Sequence, residues 1–272
     1  MLVGGWRFVG KSERRAGVCV GPGRGAGVPY DGAMDIRVIS IGALGTNHLW
    51  NEREPRRTGH ATTTLIRAGE AVILVDPGLP APALKARLVE RVNLEPKDIT
   101  HVFLTSFGPE CRRAITMFDK AAWLISERER ESVGVPLAQS LHRLAQTKED
   151  LDSAGEELDE DQSTMLEIVR QDVALLARFE VAPDSIAPGV DLFPLPGVTA
   201  GMTGLLIGEA TRTVLVCGDA IPTQDHLDQG KVLPTCWSRE AAQESFSEAV
   251  EIADLLVLGR DNAVMNMTRR GV

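Results

Sequence analysis

The chain has 272 residues, of which 43% are hydrophobic but only 4% aromatic, so a core of one large domain would be built from Val, Leu, Ile and Ala. A net charge of −9 argues against broad binding to nucleic acid or to an anionic membrane. No apolar run approaches the ~18 residues that a membrane-spanning helix needs.

Residues 1–33 are Gly-rich and carry five basic residues against two acids, with no sustained period of 2 or 3.6. They read as a disordered N-terminal extension ahead of a folded region covering 34–272. No uninterrupted apolar core of a secretory signal is present in them. The cysteines Cys19, Cys111, Cys217 and Cys236 are scattered without C-x-x-C spacing. They are expected to be reduced thiols of a cytoplasmic protein.

From Met34 the pattern changes. "MDIRVISIG" alternates and is β-branched, which predicts a strand. "ATTTLIRAG" and "EAVILVDPG" predict a hairpin turning at Gly69-Glu70, with the second strand stopped at Asp76-Pro77-Gly78. Residues 81–92 place Leu84, Leu88 and Val92 on one helical face. "DITHVFLT" is a buried strand, followed by a loop and a helix expected from Glu110 to Asp119. "AAWLIS" predicts another strand. Residues 127–180 predict an amphipathic helical hairpin, with Leu137, Leu141, Leu144 and Leu151 on one stripe and Met165, Val169, Asp172, Val173 and Leu176 on the second. Its tip is acidic, with eight Asp or Glu from Glu149 to Asp161. The leucine stripe is expected to pack on its own domain; a homo-oligomer contact or a lid is the alternative.

Strands return in "DSIAPGVDLFPLPG", "TGLLIGE" and "RTVLVCGDA". "SREAAQESFSEAVEIA" predicts a helix capped by Ser238, and "DLLVLGRDNAV" a buried strand running into a loop. The order predicts two sheets sandwiched between helices.

Four strand-terminal loops stand out: 106–111, 196–202, 218–220 and 259–262. Loops gathered at strand ends are where α/β proteins keep their sites. In order, "VILVDPG", "THVFLT" with its Gly-Pro loop, "LPGVTAGMTGLLI", "VLVCGDA" and "LLVLGRDN" resemble the five motifs of the metallo-β-lactamase superfamily of hydrolases. The resemblance covers nearly all of the chain after Met34. It implies an α/β fold, an αββα four-layer sandwich, with the helical hairpin as an insertion and Asp76 as a structural acid.

The resemblance also implies a metal site on H-x-H-x-D-H in the second motif, His in the third, Asp in the fourth and His in the fifth. This chain has Ser106, Gly108, Glu110 and Cys111 in the second, Val198 in the third, Asp219 in the fourth and Arg260 in the fifth. All five histidines are missing, so it reads as a degenerate member. Gly108 and Val198 offer no donor atom, and Arg260 stays protonated and repels a dication. No metal cofactor is therefore expected.

The alternative is a rebuilt site for one Zn, from the weak metal candidates Asp219, Cys111 and Glu110 with a histidine imported from His48, His60 or His226. His101 reads as a hydrogen-bonded core residue and His142 as exposed. Without a metal, Asp219 and Glu110 are neighbouring acids that need a counter-charge. The expectation is that the Arg260 guanidinium supplies it. Cys111, in a helix's first turn, has some prospect of an activated thiol, though a pocket thiol without reactivity is the simpler reading. His226 and Lys231 are candidates for the pocket mouth, and Trp237 for an aromatic pocket wall.

Three functions follow as expectations. The first is a metal-free pseudoenzyme that binds a small molecule or protein, with neither nucleic acid nor membrane as partner. The second is a zinc hydrolase. The third is a structural partner of an active relative.

Overall fold

The computed structural model describes residues 34–268. The expected disordered extension at 1–33 lies outside the described residues. In chain order the elements are β1 (Asp35–Ser40), β2 (Thr63–Ala68), β3 (Ala71–Val75), α1 (Ala81–Val92), β4 (His101–Leu104), α2 (Pro109–Arg112), β5 (Ala122–Ile125), α3 (Glu127–Ala154), α4 (Glu160–Ala177), β6 (Glu180–Val181), β7 (Ser185–Ala187), β8 (Val190–Pro194), β9 (Thr203–Gly208), β10 (Thr213–Val216), α5 (Gln224–Gln229), α6 (Arg239–Ile252), β11 (Leu255–Val257) and β12 (Ala263–Met265). They form two six-stranded sheets, ordered β1-β2-β3-β4-β5-β6 and β12-β11-β10-β9-β8-β7. β3 to β6 are parallel, as is the β10–β11 pair; the other pairings are antiparallel.

The two-residue period of each strand divides its side chains between layers. Ile73, Val75, Phe103 and Leu124 point between the sheets, where they meet Leu205, Ile207, Val214 and Val216. Leu74, Val102, Leu104, Trp123 and Ile125 point outward, under Leu84 and Leu88 of α1 and Leu176 of α4. On the far side, Leu215 and Leu256 meet Ala242, Phe246 and Ala249 of α6. The result is the αββα sandwich expected from the sequence.

Several details differ from expectation. The helix predicted from Glu110 to Asp119 stops after Arg112, followed by a 3-10 turn over Ile115–Met117. The amide of Ala114 donates to the Pro77 carbonyl at 2.9 Å, so the turn after β3 takes a donor that a continuing helix would use. The polar stretch after Asp219, read as loop, contains α5, which Thr223 caps by accepting from the His226 amide. In α4 the inward residue is Leu166 rather than Met165, which is 52% exposed.

Candidate functional site

The parallel pairs β3–β4 and β10–β11 deliver their C-terminal ends to one edge of the sandwich. At the end of β3, Asp76 adopts φ 49°, the left-handed region that Asp tolerates better than most residues. It is held there from several sides. Its amide donates to the Phe103 carbonyl at 3.0 Å, and its carbonyl accepts from Thr63 Oγ1 at 2.7 Å. Its carboxylate accepts from the Thr105 amide at 2.9 Å and from Thr105 Oγ1 at 2.6 Å. Asp76 thereby ties the end of β3 to the start of the 105–111 loop. Burial pushes its pKa up to about 7, against the opposing pull of the two Thr105 hydrogen bonds; the charge of Asp219 adds to the rise and that of Arg260 reduces it.

The loop after β11 crosses directly over the loop after β10. A Cβ on Gly259 would lie 2.3 Å from the Gly218 carbonyl oxygen, so this approach requires glycine. That crossing brings the next residue, Arg260, over Asp219. Arg260 Nε donates to Asp219 Oδ1 at 2.7 Å and Nη2 donates to Oδ2 at 2.6 Å, a bidentate fork. Nη1 donates to Glu110 Oε2. The one guanidinium therefore bridges two loops from different sheets. Its side chain is 7% exposed, against 11% for Asp219 and 38% for Glu110. Burial alone would lower the Arg260 pKa, but the charges and hydrogen bonds of Asp219, with Cys111 and Glu110, raise it instead. The Glu110 carboxylate lies against bare backbone: a Cβ on Gly59 would come 2.0 Å from its Oε1.

The other positions singled out in the sequence are placed as follows. Ser106 Oγ lies 3.5 Å from Cys111 Sγ, and both residues are buried. Burial raises the Cys111 thiol pKa well above its usual value; Asp76 and Asp219 add to this, and Arg260 and the Ser106 hydrogen bond only partly offset it. The activated-thiol alternative is thus opposed by desolvation, which outweighs the help of a single helical turn. Gly108 precedes α2 and has room beside it, with only Ser106 Oγ within reach of a Cβ at 3.6 Å. Val198 is half-buried against the α6-side core.

Among the described residues, the histidines do not join the acids in a group that could hold a metal. His226 is buried, with Nδ1 2.8 Å from Thr223 Oγ1. Burial lowers its pKa against the raising effect of Asp225 and Asp219. His48 is exposed, and both ring nitrogens of His60 face backbone carbonyls, those of Thr58 and Ile41, at 3.1 Å. His101 is half-buried rather than fully in the core, with Nδ1 2.8 Å from Thr100 Oγ1, and His142 is exposed as expected. Lys231 and Trp237 are exposed.

A cavity of about 260 Å³ opens beside Arg260, lined among others by Leu44, Asn47, Trp50, Arg57, Thr223, Asp225 and Asp261. Its aromatic wall is Trp50, not Trp237. Trp50 Nε1 donates to Asp225 Oδ2 at 2.8 Å, and the Arg57 guanidinium lies 5.0 Å from the ring centroid. Sequence reasoning passed over Trp50 in favour of its neighbour His48.

It also passed over Glu129, which is fully buried. Its Oε1 accepts from the Phe107 amide at 2.9 Å, and its Oε2 accepts from Thr199 Oγ1 at 2.6 Å and the Gly201 amide at 3.2 Å. The carboxylate thus joins the second-motif and third-motif loops. A signal was present: Ser126-Glu127-Arg128-Glu129 has the S-x-x-E form of a capping box. Ser126 caps α3 as that form predicts, while the glutamate turns inward to the loops.

Residues 56–105 match the family described as the Metallo-beta-lactamase superfamily. Among solved structures, a Thermotoga maritima protein of the metallo-beta-lactamase type superposes with a TM-score of 0.55 at 17% identity, covering 85% of this chain and 99% of that one. AidC, a dizinc quorum-quenching lactonase, gives 0.53 at 16%, covering 73% and 71%. A mutant of B. thuringiensis AiiA, with N-decanoyl-L-homoserine at its active site, gives 0.53 at 18%, covering 83% and 92%. No curated protein sequence matches the chain.

The chain carries the metallo-β-lactamase fold. AidC is a dizinc lactonase, and a catalytic zinc in general takes imidazole, thiolate or carboxylate donors and keeps one coordination position open. The donors here do not fit it. Both Asp219 oxygens are taken by a guanidinium, and the cation occupying the site is covalently part of the chain. Among the described residues, no group of three or more His, Cys, Asp or Glu side chains is arranged to hold a metal.

Proposed function

We propose that this protein is a metal-free binding module on a hydrolase fold, in which Arg260 takes over the charge-neutralising part of the metal's role. One observation carries the reading: the Arg260 guanidinium forks onto Asp219 at 2.7 and 2.6 Å and also pairs with Glu110. A zinc ion bound at the same acids would lie against a buried, permanently charged guanidinium, and the repulsion would oppose it. A fixed guanidinium neutralises the acids but cannot ionise a water molecule, as a zinc with an open coordination position does. What survives is a recess. The cavity beside Arg260 offers an indole, an amide, a hydroxyl and charged groups of both signs, a lining suited to a small polar molecule.

Metal analysis of the purified protein, followed by zinc titration, tests the reading. The expected outcome is no stoichiometric zinc and no saturable uptake. Stoichiometric zinc that is lost in Asp219→Ala and Cys111→Ser would overturn it in favour of a rebuilt one-zinc hydrolase.

A further inference from the structure

Away from the strand-end site, α4 carries two adjacent stripes. Leu166, Val169 and Leu176 are buried, and Leu176 joins the core layer under the first sheet. One position back, Met165 and Ile168 are 52% and 48% exposed, and the same stripe continues through Asp172 and Leu175. The spacing of 3, 4 and 3 residues is that of a helix–helix seam. The N-terminal part of this stripe projects. The C-terminal part is concave: a groove of about 460 Å³ lies along Gln171, Asp172, Leu175 and Arg178, floored by Trp123. The charge is also split. Asp161 stands at the start of the stripe and Arg178 just beyond its end, and among the described residues neither forms an ion pair.

A projection, a recess, an acid and a base on one helix are complementary to themselves when the helix is reversed. We propose that a second copy of this chain docks on this face, with the two α4 helices antiparallel about a two-fold axis near Arg170. Such an axis pairs each contact twice. Met165 of each copy enters the groove of the other beside Leu175, the two residues being ten positions or about 15 Å apart along the helix. Asp161 of each copy meets Arg178 of the other. Ile168 falls opposite Asp172, whose charge is already met by Arg112 at 2.7 Å within its own chain. Arg178 lies over the Trp123 ring at 3.8 Å, which fixes its guanidinium at the end of the groove. This arrangement assigns the helical hairpin an assembly role independent of the Arg260 site.

Sedimentation of the full chain across a concentration series tests the proposal. The wild type is expected to reach twice the chain mass. Asp161→Arg and Arg178→Asp, each on an exposed side chain, should each weaken association by roughly tenfold or more. Met165→Glu should leave the monomer. The double exchange Asp161→Arg with Arg178→Asp should restore the dimer, which a change merely harming the fold would not do. A wild type that stays monomeric throughout overturns the proposal. So does a dimer indifferent to both single reversals, or one not regained in the double exchange.

Discussion

Two buried carboxylates lie at the same edge of the sandwich and are satisfied in opposite ways. Asp219 faces a full positive charge, the Arg260 guanidinium. Glu129, more deeply buried, faces only neutral donors: two backbone amides and a threonine hydroxyl. Neutral dipoles fixed by the backbone can hold an isolated carboxylate in place. They do not suffice where two acids converge, because each raises the cost of ionising the other. Here the Arg260 guanidinium lies between them and pairs with both.

Removing the charge should break the contrast most sharply. Arg260→Ala leaves Asp219 buried without its partner and is expected to cost about 3–5 kcal/mol in urea unfolding. Most of that cost should arise at Asp219, because Glu110 is partly open to water. A cost below that of altering Glu129 would show that the guanidinium is not what holds these acids.

Asp76 supplies the next test, through pH. Its carboxyl is raised from 3.8 to about 7 in the fold. Protonated Asp76 therefore favours folding. Its contribution is complete below about pH 3.8 and is lost as pH rises through about 7. A shift of this size corresponds to about 4 kcal/mol across that window. The wild-type stability curve minus that of Asp76→Asn should fall over the same interval. A flat difference would show that Asp76 titrates at its ordinary pKa.

The smallest of the three effects should come from Glu129→Gln. The amide keeps the shape but must turn an N–H₂ toward groups that themselves donate. The expected loss is about 2 kcal/mol by denaturant titration, with Glu129→Ala costing more. A neutral result would mean that the 105–111 and 196–202 loops hold together without it.

Much of the fold was legible because each layer depends on local pattern. The β2–β3 hairpin needed only alternation and Gly69, and α1 needed only its 3.6-residue stripe. Long-range contacts explain the misses. α2 is cut short by a bond to Pro77, some 37 positions earlier in the chain. α5 spans six residues, too few to show a period. β6 has only two residues and exists through pairing with β5. At the site, the Arg260 pairing followed from the motif resemblance, which set Arg260 beside Glu110 and Asp219, together with the need of two neighbouring acids for a counter-charge. Glu129 was hidden because a glutamate in the run Glu127 to Glu131 reads as solvated until the loops that enclose it are in view. Trp50 was hidden because nothing local marks which residue of "NHLW" faces the cavity.

The open space beside Gly108 bears on where this loop accepts a new side chain. A Cβ there would meet only Ser106 Oγ within reach, at 3.6 Å, so the backbone of this loop tolerates a residue larger than glycine at that position. Arg260 is different, because changing it releases two acids at once. A donor added at position 108 would therefore still face a guanidinium that holds both Asp219 and Glu110. Position 108 is thus open to change by itself, whereas any change at position 260 is felt by two loops from different sheets.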